Sequence, residues 1–412
     1  MKKILFILYT CCILLFPVSA QQIPSFKAND RIVFLGNSIT EGGHYHSYIW
    51  LYYMTHFPEL PLRIYNGGIG GDCASHMVFR FDSDIKIKKP TYLVCSFGMN
   101  DSGYDGYNKP GYDKYANKQV EYANTEFGKL QQQILADKKI KNVVLLGSSP
   151  YDENVKLEGV ETLHGKNETI KRIIEMQAEV AQKRGWGFVN FNTVMCELNK
   201  EIQQSDSTAT FCGGDRIHPD KDGHMVMAYL FLKAQGLAGQ EIASFQINAT
   251  NRKAMEERNC RISHIKNEND TISFRYLSRS LPFPIDTIPR WGTKGTARDA
   301  IRQIPFMQEM NQEIMKVTDL HGIFRVTIDG IEIGCWSGDE LSKGVNLAEI
   351  TCTPQYQQSL SIMYLNEERC AIEKRLRQYM AMQYVFFKHR GLLFADNKAA
   401  LDAAKAERES HY

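Results

Sequence analysis

Short apolar runs separated by longer amphipathic stretches organise the first half of the chain. Residues 31–35 (RIVFL), 62–65, 92–97 (YLVCSF), 143–146 (VVLL) and 187–191 are continuously apolar or nearly so. That pattern predicts strands buried on both faces. Between them the period changes to that of helices. Val120, Ala123, Phe127, Leu130 and Ile134 share one helical face, as do Ile170, Ile173, Ile174 and Val180, and a further helix is predicted over 223–233. Strands alternating with helices give a mostly parallel sheet covered on both sides, with ligands bound beyond the carboxyl ends of the strands.

The texture changes after about residue 240. Ile272, Phe274 and Tyr276 alternate with polar residues, and 324–333 reads as a hairpin turning at Asp329-Gly330. Leu281-Pro-Phe-Pro284 and Ile288-Pro289 mark irregular connections. From 353 the pattern is helical again. Leu365, Ile372, Leu376, Tyr379, Met380 and Phe387 form a stripe expected to dock these helices on the rest, and the tail to Tyr412 is charged and rich in alanine. The expected organisation is an α/β domain over 21–237, a β-rich unit over 238–352 and C-terminal helices over 353–412.

Residues 1–20 read as a signal peptide. Lys2 and Lys3 precede an apolar run, and Val18-Ser19-Ala20 before Gln21 suits a signal peptidase. Export after cleavage, to a periplasmic, cell-surface or secreted location, is therefore expected, with no stable membrane insertion. The two lysines account for the whole formal charge of +2. A balanced remainder gives no reason to expect a nucleic-acid partner. Of ten cysteines, the eight beyond the expected leader are widely spread without a CxxC pair, which argues against a zinc module. Cys95, inside an apolar strand, is expected to be a buried thiol. Nothing in the pattern sets an oligomeric state.

Three loops at predicted strand ends carry chemistry: Gly36-Asn37-Ser38, then Asn66-Gly-Gly-Ile-Gly-Gly71-Asp72, then Gly98-Met99-Asn100-Asp101. A parallel sheet brings all three to one edge. A later segment holds Asp215-Arg-Ile-His218-Pro219. Acyl transfer at neutral pH needs these residue types: a hydroxyl (Ser38), an imidazole to take its proton (His218), and a carboxylate to fix the imidazole tautomer (Asp215). It also needs donors for the oxyanion, which the Ser38 and Gly71 backbone and the Asn100 amide offer. Each piece alone has an ordinary structural reading, Ser38 as a helix N-cap among them.

Together the four blocks resemble the SGNH (GDSL-like) hydrolase superfamily, whose motifs read approximately GDSIT, NxGxxGD, GxND and DxxHP. The resemblance covers roughly residues 30–235. It implies a flavodoxin-like three-layer α/β/α sandwich with a five-stranded parallel sheet. It further implies Ser38 as nucleophile, His218 as base, Asp215 as its orienting acid, an oxyanion hole of Ser38, Gly71 and Asn100, and no metal or organic cofactor. One position departs: Asn37 stands where the family usually has Asp. Exported members with a large C-terminal extension resemble carbohydrate esterases, so an acetylated oligo- or polysaccharide is the expected substrate.

Tyr104 and Tyr107, in the loop after the third block, are candidates for stacking on sugar rings. Trp336 could do the same, though core packing is the simpler reading. His44 and His46 form an HxH pair without a third ligand at a recognisable spacing, and are assigned to a helix rather than a metal. Two other functional readings stay open: a broader acyl-ester or thioester hydrolase, and a glycan-binding protein without turnover.

Overall fold

The computed structural model describes residues 22–269, 271–290 and 292–382, with isolated helical positions between 399 and 410. The expected leader and Phe387 lie outside the described residues. Five strands, β1 (Arg31–Gly36), β2 (Arg63–Gly68), β3 (Tyr92–Phe97), β4 (Asn142–Gly147) and β5 (Gly187–Asn190), form one parallel sheet in the order β2-β1-β3-β4-β5. Seven helices accompany it: α1 (Ser38–Gly42), α2 (His44–His56), α3 (Ala74–Arg80), α4 (Tyr112–Ala136), α5 (Lys166–Arg184), α6 (Phe191–Ile202) and α7 (Lys221–Ala234).

The period of two along each strand sorts the core into two layers. Ile32, Phe34, Tyr92, Val94, Val144 and Leu146 face α2 and α7. Val33, Leu35, Leu93, Cys95, Val143 and Leu145 face α3 and α4. The result is the expected α/β/α sandwich. Helix α2 is buried almost all round, Tyr45, Tyr48, Tyr52 and Tyr53 included. Three of these four hydroxyls find partners, Thr40 meeting that of Tyr45, and Tyr52 has none among the described residues. Tyr48 donates to Asp286 Oδ2 at 3.1 Å, and Tyr53 donates to Gln235 Oε1 at 3.0 Å.

The second unit contains a four-stranded sheet and two hairpins. The sheet has the order β13-β10-β6-β7, from β6 (Ala243–Asn248), β7 (Lys253–Arg258), β10 (Glu313–Thr318) and β13 (Val345–Asn346). The hairpins pair β8 (Cys260–Glu268) with β9 (Thr271–Ser278), and β11 (Ile323–Ile328) with β12 (Ile331–Ser337). Asp329 and Gly330 both have positive φ, 50° and 80°, at the turn of the second. Trp336 lies against this small core, so its ring is packing rather than an open platform. Between β9 and β10 the chain leaves the small unit altogether. Phe283, Ile285, Ala297, Ala300, Ile304, Phe306 and Met310 join the core of the first domain. Lys221 meets Asp286 at 2.6 Å to fasten this strap.

A long helix, Pro354–Met382, follows the second unit. Its docking face differs from the expected stripe. Of the expected stripe, Leu365, Ile372 and Tyr379 are exposed and Met380 is buried, alongside Met363, Asn366, Cys370 and Arg377. The seven-residue apolar spacing was misleading because the seam is largely polar. Asn366 donates to Ser47 at 2.9 Å, Glu373 accepts from the Asn66 backbone N–H at 2.6 Å, and Arg377 reaches Asp84.

Glu313, the first residue of β10, is fully buried. Its Oε1 accepts from Tyr276 at 2.7 Å and its Oε2 has no partner. Burial pushes its carboxyl up from 4.5 to about 7, the tyrosine hydrogen bond recovering only part of the cost. The folded state therefore keeps a proton that the unfolded chain releases. Stability linked to Glu313 is intact at acid pH and lost as pH rises through about 7. Glu313→Gln keeps the acceptor and removes the titration. Its gain over wild type should be small near pH 4.5 and rise to as much as about 3 kcal/mol by pH 8, read by urea unfolding at both values.

Candidate active site

Strand order builds the site. β1 lies between β2 and β3, so the loop that follows it is flanked by the loops that follow those two strands. Asn37, buried at the end of β1, caps α1 by accepting from the Ile39 N–H at 3.0 Å. The cap is thus Asn37, and the Ser38 hydroxyl is left for another partner. A neutral amide makes this cap bond without burying a charge.

The Ser38 hydroxyl meets His218 Nε2 at 2.7 Å, and His218 Nδ1 meets Asp215 Oδ2 at 2.5 Å. Asp215 accepts three bonds, the other two from the Ile217 and His218 backbone N–H groups at 3.0 and 2.9 Å. Partial burial raises its carboxyl, but the His218 and backbone hydrogen bonds outweigh it and hold the group below its usual range. Asp215 is therefore the acceptor, Nδ1 carries the proton, and Nε2 is free to accept from serine.

Two backbone features set this loop. Gly213 has φ +73°, and a Cβ there would lie 1.9 Å from the His218 carbonyl oxygen. Arg216 also has positive φ, 70°, and is buried. Its guanidinium donates to the carbonyls of Asp152, Val155 and Val160, which holds the strained residue in place.

On the other side of Ser38, a Cβ at Gly70 would lie 3.9 Å from the serine Cβ, so the second block runs directly past the hydroxyl. Glu41 Oε2 accepts from the Gly70 N–H at 2.7 Å. Asn100 Nδ2 donates to the Asp72 carbonyl at 3.0 Å, leaving its second N–H available. Tyr104 donates to Asn100 Oδ1 at 2.7 Å. The third block is fixed from within: Asp101 accepts from Gly98 N–H at 2.8 Å and Ala74 N–H at 2.7 Å. Beneath it, buried Lys166 donates to the carbonyls of Met99 and Gly103 and to Ser102 Oγ. Its ammonium also lies 3.8 Å from the centre of the Tyr104 ring.

Below these loops lies a buried charge cluster. Arg80 pairs with Asp72 at 2.6 Å and Asp84 at 2.5 Å, and donates to the carbonyls of Gly36 and Gly67 at the ends of β1 and β2. Asp84 also meets Lys88 at 2.6 Å and Arg377 at 2.7 Å. Burial alone would raise its carboxyl, but Arg377, Lys88 and Arg80 hold it well below the usual range. Arg377 also donates to the Gly68 carbonyl at 3.0 Å, carrying the C-terminal helix to the root of the second block.

The structure brings Ser38, His218 and Asp215 together, with Gly71 and Asn100 in the flanking loops. Tyr107 does not join them. It is 2% exposed, donates to the Ser102 carbonyl and packs against Tyr112 and Tyr115, so it supports the loop from inside. Tyr104 is 36% exposed, but its hydroxyl is occupied by Asn100. His46 is buried with Nε2 on the Thr40 carbonyl, whereas His44 faces Glu367 at 3.4 Å. Burial lowers His46 to about 3.

A hydroxyl, an imidazole and a carboxylate in series, beside backbone and amide donors on an α/β/α sandwich, define a serine hydrolase. The chain belongs to the SGNH (GDSL-like) hydrolase superfamily and is an ester hydrolase. Residues 34–226 match the GDSL-like lipase/acylhydrolase family, and 360–412 match the diltiazem deacetylase C-terminal helical domain. The solved structure of a gut microbial diltiazem-metabolizing enzyme is 49% identical, with a TM-score of 0.89 over 93% of this chain and 87% of that one. An acetylxylan esterase from Geobacillus stearothermophilus is 22% identical over 224 residues, 51% of this chain and 95% of that protein.

Replacing Arg377 by Met removes its bonds to Asp84 and to the Gly68 carbonyl in a buried site, while Arg80 and Lys88 still balance Asp84. The expected cost is about 1–3 kcal/mol, measured as a lowered denaturation midpoint. A loss under about 1 kcal/mol would mean that the pair does not anchor the helix.

Proposed function

We propose that this protein removes acetyl groups from O-acetylated carbohydrate through an acyl-enzyme formed on Ser38. The continuous Ser38–His218–Asp215 relay carries the reading. His218 Nε2 takes the serine proton as Oγ attacks the acetyl carbonyl carbon, then gives it to the departing alcohol oxygen. A water, deprotonated by the same nitrogen, releases acetate and restores the hydroxyl. Asp215 stays ionised and holds the imidazole. The Ser38 and Gly71 N–H groups and the free Asn100 N–H receive the charge on the carbonyl oxygen.

Acetyl as the acyl group is supported by the relatives, one of them named an acetylxylan esterase and the C-terminal match a diltiazem deacetylase domain. Carbohydrate as the alcohol is supported by the acetylxylan esterase and by the export expected from residues 1–20. A second reading, a deacetylase of small non-carbohydrate esters, is favoured by the 49% identity to the diltiazem-metabolizing enzyme.

Ser38→Ala should abolish acetate release and leave thermal stability nearly unchanged, since Asn37 provides the cap; retained turnover refutes the assignment. Asn100→Ala should lower kcat by about 10²–10³ with little change in KM. Side-by-side acetate release from acetylated xylan, acetylated pectin and diltiazem decides between the two readings.

Tyr104→Phe separates positioning from sugar stacking, because it keeps the ring and loses the bond to Asn100. A similar fall in kcat on oligosaccharide and on p-nitrophenyl acetate is expected. A rise in KM confined to the oligosaccharide would instead assign Tyr104 to stacking.

A further inference from the structure

A cleft of about 490 Å³ opens beside Ser38 on the His218 side, its walls including Pro219, Asp220, Arg290 and Lys374. Gly71 and Asn100 do not line it. The side of a serine hydrolase site next to the histidine receives the leaving oxygen, because that nitrogen protonates it. The cleft is therefore where the alcohol half of the ester lies.

Arg290 comes from the strap that Asp286 fastens to Lys221, and Lys374 from the helix that Arg377 fastens to Asp84. Both cations thus stand on docked elements. Among the described residues, neither closes an ion pair within 4.0 Å, although Asp220 and Glu41 face the same space. Glu41 accepts from the Gly70 N–H and keeps its charge, which acts on Lys374, as Asp220 acts on Arg290, each from beyond ion-pair distance. Partial burial, and then the charge of Arg290, press the Lys374 ammonium below its usual range, and the opposing charge of Glu41 offsets them only in part. An anion bound between the two side chains would relieve that repulsion.

We infer that Arg290 and Lys374 form a subsite for an anionic group, a carboxylate or a sulfate, on the alcohol part of the acetyl ester. This rests on the deacetylase reading above and narrows it to charged glycans such as uronic-acid polymers. The oxyanion-hole side takes no part in the selection.

The test compares kcat/KM for acetate release from acetylated polygalacturonate with that from the same polymer after methyl esterification of its carboxyl groups. Acetylated sulfated galactan is the second arm. At low ionic strength the wild-type chain should prefer the free carboxylate or the sulfate by at least about tenfold, and the preference should shrink as salt is added. The larger of the two preferences identifies the anion. Arg290→Gln with Lys374→Gln should bring the ratio close to one, and the single substitutions should each lower it in part, covering the case in which the double variant does not fold.

A wild-type ratio near one at low salt, or a preference that survives both substitutions, overturns the subsite. Binding of trigalacturonate to Ser38→Ala by calorimetry needs no turnover. Binding that is lost on adding the two Gln substitutions supports the subsite even if the ester chemistry were to fail, whereas no binding overturns it. Absence of p-nitrophenyl acetate hydrolysis by wild type would defeat the deacetylase reading instead.

Discussion

Arg80 is the hinge of the whole arrangement. Its guanidinium sits under the carboxyl edge of the sheet, where it donates to the Gly67 carbonyl and adds a second bond to that of Gly36, which also accepts from the Ile69 N–H. The same group neutralises Asp72, next to Gly71, and Asp84, which in turn holds Lys88 and Arg377. Desolvating three cations and two carboxylates is expensive, and an apolar plug of equal volume would often be as stable. What such a plug cannot do is bind directional carbonyls at the roots of two loops whose spacing fixes the site. The cluster contributes position more than stability.

The C-terminal helix belongs to that arrangement. Arg377 fills the last coordination direction around Asp84 and also reaches the Gly68 carbonyl, while Glu373 receives the Asn66 N–H. The second block, with Gly70 and Gly71, is therefore clamped from below by Arg80 and from outside by a helix some 300 residues later in the chain. The strap from 279 to 312 does the same for α2 and α7. The hydrolase sandwich is thus completed by segments that lie beyond its own sequence span.

What the sequence revealed follows the range of the interactions. Strands buried on both faces show as apolar runs, and the sheet is recovered almost strand by strand. The four site blocks are legible because each holds its own geometry locally, as Asp101 and Asp215 do with backbone N–H groups a few residues away. Arg80, Asp84 and Lys88 stand four apart on one helical turn after another, a spacing ordinarily read as solvent-facing ion pairs. Nothing nearby says that Arg377 will bury them. Lys166 and Tyr107 were hidden for the same reason, a lysine and a tyrosine whose partners are carbonyls of a loop. The stripe of Leu365, Ile372 and Tyr379 misled in the opposite sense: its apolar period was real, but a polar seam took the buried face.

Most of the charge next to Ser38 is matched or hydrogen-bonded. An oxygen that becomes negative during acyl transfer is opposed by any bare carboxylate in a site of low dielectric. Asn37, directly before the serine, is uncharged. Asp72 is matched by Arg80 and Asp101 accepts from two backbone N–H groups, while Glu41 and Asp220 keep their charge and act on Lys374 and Arg290. Asp215 is separated from the reacting atoms by the width of the imidazole, where its charge favours the protonated ring rather than opposing the oxyanion. Asn37 in place of the usual aspartate fits this distribution: the position needs a hydrogen-bond acceptor for the α1 cap, and an amide provides it without adding a second carboxylate beside the attacking hydroxyl.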